Sequence, residues 1–203
     1  MKATKIIYAF IIAAIAAIGC DKLETYSEIP EVNFQQVYIA DTLDALGNDI
    51  KLQNITIQVI DGDGNLGLNT EDTTGNFAPN SQYYNNLFIT ISRKLDDGSY
   101  KQLDNLTGNY RIPYKAPIGQ NKYLKAEIKI KMEIALGYID YDTIRYEIQV
   151  CDRLLNSSEK AISCDIPIRR HGTVWADGHT SFFADEETEE ESSENSETTE
   201  KTE

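Results

Sequence analysis

From Val32 onward the chain alternates apolar and polar residues with a period of two, the pattern of strands with one face buried and one wet. The clearest case is Leu124 to Ala135. Ala126, Ile128, Ile130, Met132 and Ile134 face one way, and Glu127, Lys129, Lys131 and Glu133 face the other. The same pattern predicts strands at Val32 to Ile39, at Gln53 to Ile60 (with Ile55, Ile57 and Val59 on one face), and around Leu87, Ile89 and Ile91. Tyr100 to Leu103 pairs back across the turn Asp96-Asp97-Gly98-Ser99, a hairpin signal. Thr143 to Val150 and Ala161 to Arg169 complete the set, with Arg153 to Lys160 as their connection. No helical period is sustained past residue 20, and Tyr, Ile and Thr are plentiful, as strands favour. About seven short strands separated by turn signals predict an all-β fold, an antiparallel β-sandwich of immunoglobulin-like architecture, with a barrel as the competitor. The segment 171–184 has no clear place in this scheme. Its Trp175, Phe182 and Phe183 either cover an end of the sandwich or sit exposed.

Before the strands comes a different kind of sequence. Lys2 and Lys5 make a short positive region, and Ile6 to Ile18 carries no charge. That length suits the apolar core of a signal peptide and falls short of the roughly 20 residues that a spanning helix needs. Ala17-Ile18-Gly19-Cys20 follows, and polarity returns at Asp21 and Lys22. This stretch resembles the bacterial lipobox, with Ala17 where Leu is usual. The resemblance implies cleavage before Cys20 and a lipid on its thiol, so that residues 1–19 are a lipoprotein signal peptide and 20–31 a lipidated tether closed by Pro30. The body, 32–170, would then be a soluble domain held at a membrane.

Charge divides unevenly. Residues 185–203 hold ten acids and one lysine, a net of −9 within a total of −14, and are otherwise almost all Ser and Thr. Such a tail has no apolar residue to dock, and its composition reads as disordered. A chain this acidic lacks the basic footprint of a nucleic-acid binder.

One loop carries candidate chemistry. Asp61-Gly62-Asp63-Gly64-Asn65-Leu66-Gly67-Leu68 directly follows the strand ending at Ile60. Oxygen side chains at its first, third and fifth positions, spaced by glycines, are what a hard cation such as calcium requires. The opening matches the D-x-D-x-N of an EF-hand, but Leu66 stands where that motif needs Gly and Asp72 where it needs Glu, and no flanking helices are predicted. Two readings stay open: a calcium loop of another kind, with Asp61, Asp63 and Asn65 as ligands and Asp72 closing the site, or a tight turn in which Asp and Asn bond their own backbone while Leu66 and Leu68 tuck into the core.

Cys151 and Cys164 are the cysteines left after Cys20. A bridge between them is permitted outside the cytoplasm. Their strand parities differ, which argues against it unless a bulge or strand end intervenes. His171 and His179 form no recognisable catalytic set, and no G-x-S-x-G, H-E-x-x-H or phosphate loop occurs, so the chain reads as a protein that is not an enzyme. Tyr83 and Tyr84 beside Asn85 and Asn86 make the best aromatic cluster for a glycan.

The lipobox, the loop at 61–68, Tyr83-Tyr84-Asn85-Asn86-Leu87-Phe88, Asn109-Tyr110-Arg111-Ile112-Pro113, Asp142-Thr143-Ile144-Arg145-Tyr146-Glu147 and Cys151-Asp152-Arg153 together resemble a group of uncharacterised Bacteroidetes envelope lipoproteins. In those the loop usually reads D-G-D-G-D-I-G-L. The resemblance spans roughly residues 50–170 and implies a β-rich lipoprotein of the cell envelope, anchored in the outer membrane. It transfers no catalytic residue. The expected role is a structural or interaction module with an envelope protein as partner. The alternatives are a glycan-binding surface protein and, less favoured, an enzyme.

Overall fold

The computed structural model describes residues 25–117 and 122–183. The signal segment, Cys20 and the acidic tail from 185 lie outside the described residues. Ten strands run in order: β1 (Glu31–Leu43), β2 (Asp49–Asp61), β3 (Leu87–Lys94), β4 (Tyr100–Tyr110), β5 (Leu124–Ala135), β6 (Thr143–Val150), β7 (Ala161–Ile162), β8 (Ile166–Pro167), β9 (Gly172–Trp175) and β10 (Thr180–Phe182). No α-helix occurs among the described residues, only 3₁₀ turns at Gly75–Phe77 and Leu136–Tyr138.

The strands form two antiparallel sheets. One has the order β10-β9-β1-β2-β5. The other has the order β4-β3-β6-β7, with β8 also paired to β6. Strands one, two and five in one layer against three, six and seven in the other is the arrangement of an immunoglobulin-type sandwich. The fourth strand joins the third here instead of the fifth.

The alternation that predicts the strands also predicts the core. On β5 the Lys and Glu positions are exposed, while Ile130, Met132 and Ile134 are buried. On β2 the inward row is Lys51, Gln53, Ile55, Ile57, Val59 and Asp61, all buried. On β6 it is Ile144, Tyr146, Ile148 and Val150. On β1 the inward parity shifts between Phe34 and Val37, because the register with β2 slips by one residue between Phe34 and Gln36. Such a bulge lets one strand change phase without losing its partner.

Two parts of the chain differ from the pattern that the alternation predicts. The strand expected at Ala161 to Arg169 is broken into β7 and β8. Between them Ser163 keeps the edge of β6 satisfied: its N–H donates to the Tyr146 carbonyl and its hydroxyl accepts from the Tyr146 N–H, each at 2.9 Å. Asp165 turns outward to meet Lys94, Tyr100 and Arg145. Second, residues 171–183, which had no clear place in the pattern, neither cap an end nor hang free. β9 and β10 extend the first sheet beyond β1, and Val174 is fully buried.

The bridge between Cys151 and Cys164, which their strand parities argued against, is absent: both are free thiols. Tyr146 lies beside Ser163, so Cys164 sits about level with Arg145, and Cys151 lies six residues further along β6. At about 3.3 Å per residue they are roughly 20 Å apart, where a bridge needs Cα atoms within about 7 Å.

The middle of the core contains one polar pair. The Tyr146 hydroxyl donates to Gln53 Oε1, joining the two sheets through two fully buried side chains. Tyr146→Phe leaves that oxygen without a donor and is expected to cost about 1–3 kcal/mol in urea unfolding. A change of less than about 0.5 kcal/mol would mean that the pair contributes nothing beyond packing.

Candidate metal centre

Asp61 and Asp152 occupy equivalent places in facing sheets. Asp61 ends the inward row of β2, and Asp152 continues the inward parity of β6 two residues past Val150. Both are buried, at 0% and 1% exposure. Half-buried Asp63 joins them, and one carboxylate oxygen from each of the three lies within 4.8 Å of the others. The loop motif therefore finds its third acid on β6's exit and not further along itself.

The local turns explain how each side chain is held. The Leu66 N–H donates to Asp61 Oδ2 at 2.7 Å. Asp63 accepts from the Asn65 backbone at 3.3 Å and from Asn65 Nδ2 at 2.5 Å. Asp152 accepts from both the backbone N–H and the side-chain amide of Asn156, each at 2.8 Å. Leu66 and Leu68 are buried in the core, as the turn reading expected. Two oxygens are left over. Asp61 Oδ1 and Asn65 Oδ1 are both buried and accept no hydrogen bond.

Asp72 is not part of the cluster. Its Oδ2 accepts from the Asn69 N–H at 2.7 Å and pairs with Arg153 at 2.6 Å. Arg153 also donates from Nε to the Gly67 carbonyl at 2.9 Å and lies over the Tyr114 ring. Arg111 reaches the carbonyls of Asn69, Asp72 and Tyr84. Buried Asn86 accepts from the Ile112 N–H at 2.6 Å, and its carbonyl accepts from the Cys151 N–H at 2.9 Å. Segments far apart in sequence (61–72, 84–86, 109–114 and 151–156) thus knit into one end of the sandwich. The two arginines anchor a long β2–β3 connection that has little regular structure of its own.

The chain's N-terminal segment runs across this end. Gly62 donates its N–H to the Ser27 carbonyl at 2.8 Å, and a Cβ on Gly62 would collide with the backbone of Tyr26 and Ser27. Gly64 adopts φ +68° and lies against Lys122 and Pro117. Tyr26 packs edge-on against Tyr123, with ring centres 4.8 Å apart. The DGDGN loop is therefore sandwiched between residues 26–27 and the β4–β5 connection.

The other sequence candidates lie elsewhere. His171 Nε2 is 2.7 Å from Asp41 at the opposite end of the sandwich, and His179 stacks beside Trp175 in the β9–β10 turn. Tyr84 is exposed, with its ring beneath the Arg111 guanidinium at 5.1 Å.

Comparison with known protein families, characterised proteins and solved structures gives no match for this chain. Its chemistry is therefore read from its own side chains.

Electrostatically the cluster is unbalanced. Among the described residues no basic side chain pairs with Asp61, Asp63 or Asp152. Two unit charges at such a separation repel by about 3 kcal/mol at the effective dielectric that suits protein sites. Burial pushes the Asp61 carboxyl up to about 6; the Leu66 N–H opposes the rise, and the charges of Asp63 and Asp152 add to it.

The folded chain then holds this proton more tightly than the unfolded chain, whose Asp titrates near 3.8. The group's contribution to stability is full below that value and is lost as pH rises through about 6. Asp61→Asn keeps an acceptor for Leu66 and removes the charge. In chelator, its stability is expected to fall less than that of the natural protein between about pH 4 and pH 6, tracked by thermal melts across that range. Parallel profiles for the two proteins would show that Asp61 does not titrate there.

Proposed function

We propose that the protein is a lipid-tethered module of the cell envelope, anchored through Cys20 in the outer membrane and acting by structure or partner binding rather than by chemistry. The observation that supports this most is the uncharged run Ile6 to Ile18 ending in Ala17-Ile18-Gly19-Cys20, and the way the chain enters the fold says what such an anchor would do. Ser27 is docked on Gly62, seven residues along from Cys20. Seven residues reach at most about 25 Å. A lipid on Cys20 would therefore hold the loop end of the sandwich near the bilayer and leave the other end outward.

The residues before Ser27 support the same reading. A short uncharged run and a small-residue site ahead of Cys20 suit export and lipid attachment, and the acidic composition gives anionic headgroups nothing to attract. Stable attachment through acyl chains needs at least two of them, as one gives only marginal binding.

The test is Cys20→Ser in a bacterial host, with labelled fatty acid and membrane fractionation. The natural chain is expected to take up label and sediment with membranes. The variant is expected to lose the label and leave the membrane fraction, with its melting temperature unchanged. A variant that is still labelled and still sediments would sink the proposal.

A further inference from the structure

We propose that Asp61, Asp63 and Asp152, together with Asn65 Oδ1, form a binding site for a hard divalent cation of the calcium type. Asp61 is fully buried, and one of its oxygens accepts no hydrogen bond. Buried carboxylate oxygens are normally satisfied, so an orphan beside two further carboxylates needs a counter-charge. Asn65 Oδ1, on the side chain that bonds Asp63, is a second buried acceptor without a donor. Both gaps are acceptors, and both belong to the motif that wraps the cluster. A bound cation fills two such gaps at once, where a neutral hydrogen-bond donor would leave the three charges in place.

The donor set selects the ion. Every candidate ligand atom is an oxygen, and the group contains no His. The nearest thiol, Cys151, lies against the Asp152 carbonyl. Zinc prefers nitrogen and sulfur. Magnesium keeps several waters and demands a near-ideal octahedron, whereas calcium accepts six to eight oxygens in irregular arrangements. Three carboxylates contributed by a strand end, a loop and a second sheet make an irregular cage, and backbone carbonyls and water would supply the remaining positions.

Such an ion would join three parts of the molecule. It would connect the end of β2 to the exit of β6, bridging the sheets where the apolar core stops. It would also stiffen the loop that holds Ser27 through Gly62.

The experiment uses the full 203-residue chain. Its melting temperature is measured in EDTA, then in calcium or magnesium at roughly millimolar concentration, the range in which extracellular calcium modules bind. Asp63→Asn, Asp152→Asn and Asn65→Asp are measured in parallel. Asp63 is only half-buried, so its variant should fold even if Asp152→Asn does not. Calcium is expected to raise the midpoint by several degrees and magnesium by much less. Asp63→Asn should weaken calcium binding at least about tenfold, and Asn65→Asp, by adding a charge, should tighten it. No calcium response in the natural chain overturns the proposal and leaves a proton shared among the carboxylates as the explanation of their closeness. An equal response in the natural chain, Asp63→Asn and Asn65→Asp also overturns it, since calcium would then act at another place.

Discussion

The inward face of β2 is the constraint on which the rest of the molecule depends. The strand is paired to β1 from Asp49 to Ile60 and to β5 from Ile50 to Asp61. Its inward row runs from Lys51 through Gln53, Ile55, Ile57 and Val59 to Asp61. Because side chains alternate strictly, none of these six can move to the solvent face without a register slip that would expose the isoleucines. The polar members are therefore buried by the geometry of their neighbours, and the surrounding structure must satisfy them. Gln53 Oε1 is met by Tyr146 from the facing sheet, while its Nε2 is buried without a partner. The two ends are treated differently.

At one end the charge is balanced. Lys51, only 2% exposed, pairs with Asp41 at 2.5 Å, and Asp41 also meets His171. Asp41 itself ends an inward row, that of Val37 and Ile39, so two rows finish in opposite charges that neutralise each other. Burial works against the Asp41 carboxylate, yet Lys51 and His171 hold it below its ordinary range. At the other end the rows of β2 and β6 finish in like charges, Asp61 and Asp152. The same rule of alternation produces a closed ion pair at one end and, among the described residues, an uncompensated cluster at the other.

Much of this was legible in the sequence, and the failures are physical ones. Period-two alternation found the strands that carry most of the core, and β5 matched residue for residue. The same alternation, extended past each strand end, would have found the site: Asp61 follows Ile55, Ile57 and Val59 in phase, and Asp152 follows Ile148 and Val150. Counting along the loop in the manner of an EF-hand instead chose Asp72, which a salt bridge with Arg153 draws away. Spacing within one segment cannot foresee a partner brought in by another sheet. β9 and β10 are only four and three residues long, too short for any period to show, and they form because β1 leaves an open edge for them. The break between β7 and β8 depends on Ser163 bonding the backbone with its own hydroxyl, a substitution that no hydrophobic pattern records.

The two ends of the described chain exit from opposite poles of the sandwich. Ser27 lies beside Gly62, whereas Phe183 donates its N–H to the His171 carbonyl, next to Asp41. Along β1, the ten steps from Glu31 to Asp41 measure roughly 33 Å. With an anchor upstream of Ser27, the length of the sandwich would separate the anchored pole from the pole at Phe183. That separation is several Debye lengths at physiological salt, so the two poles would stand in different electrostatic surroundings.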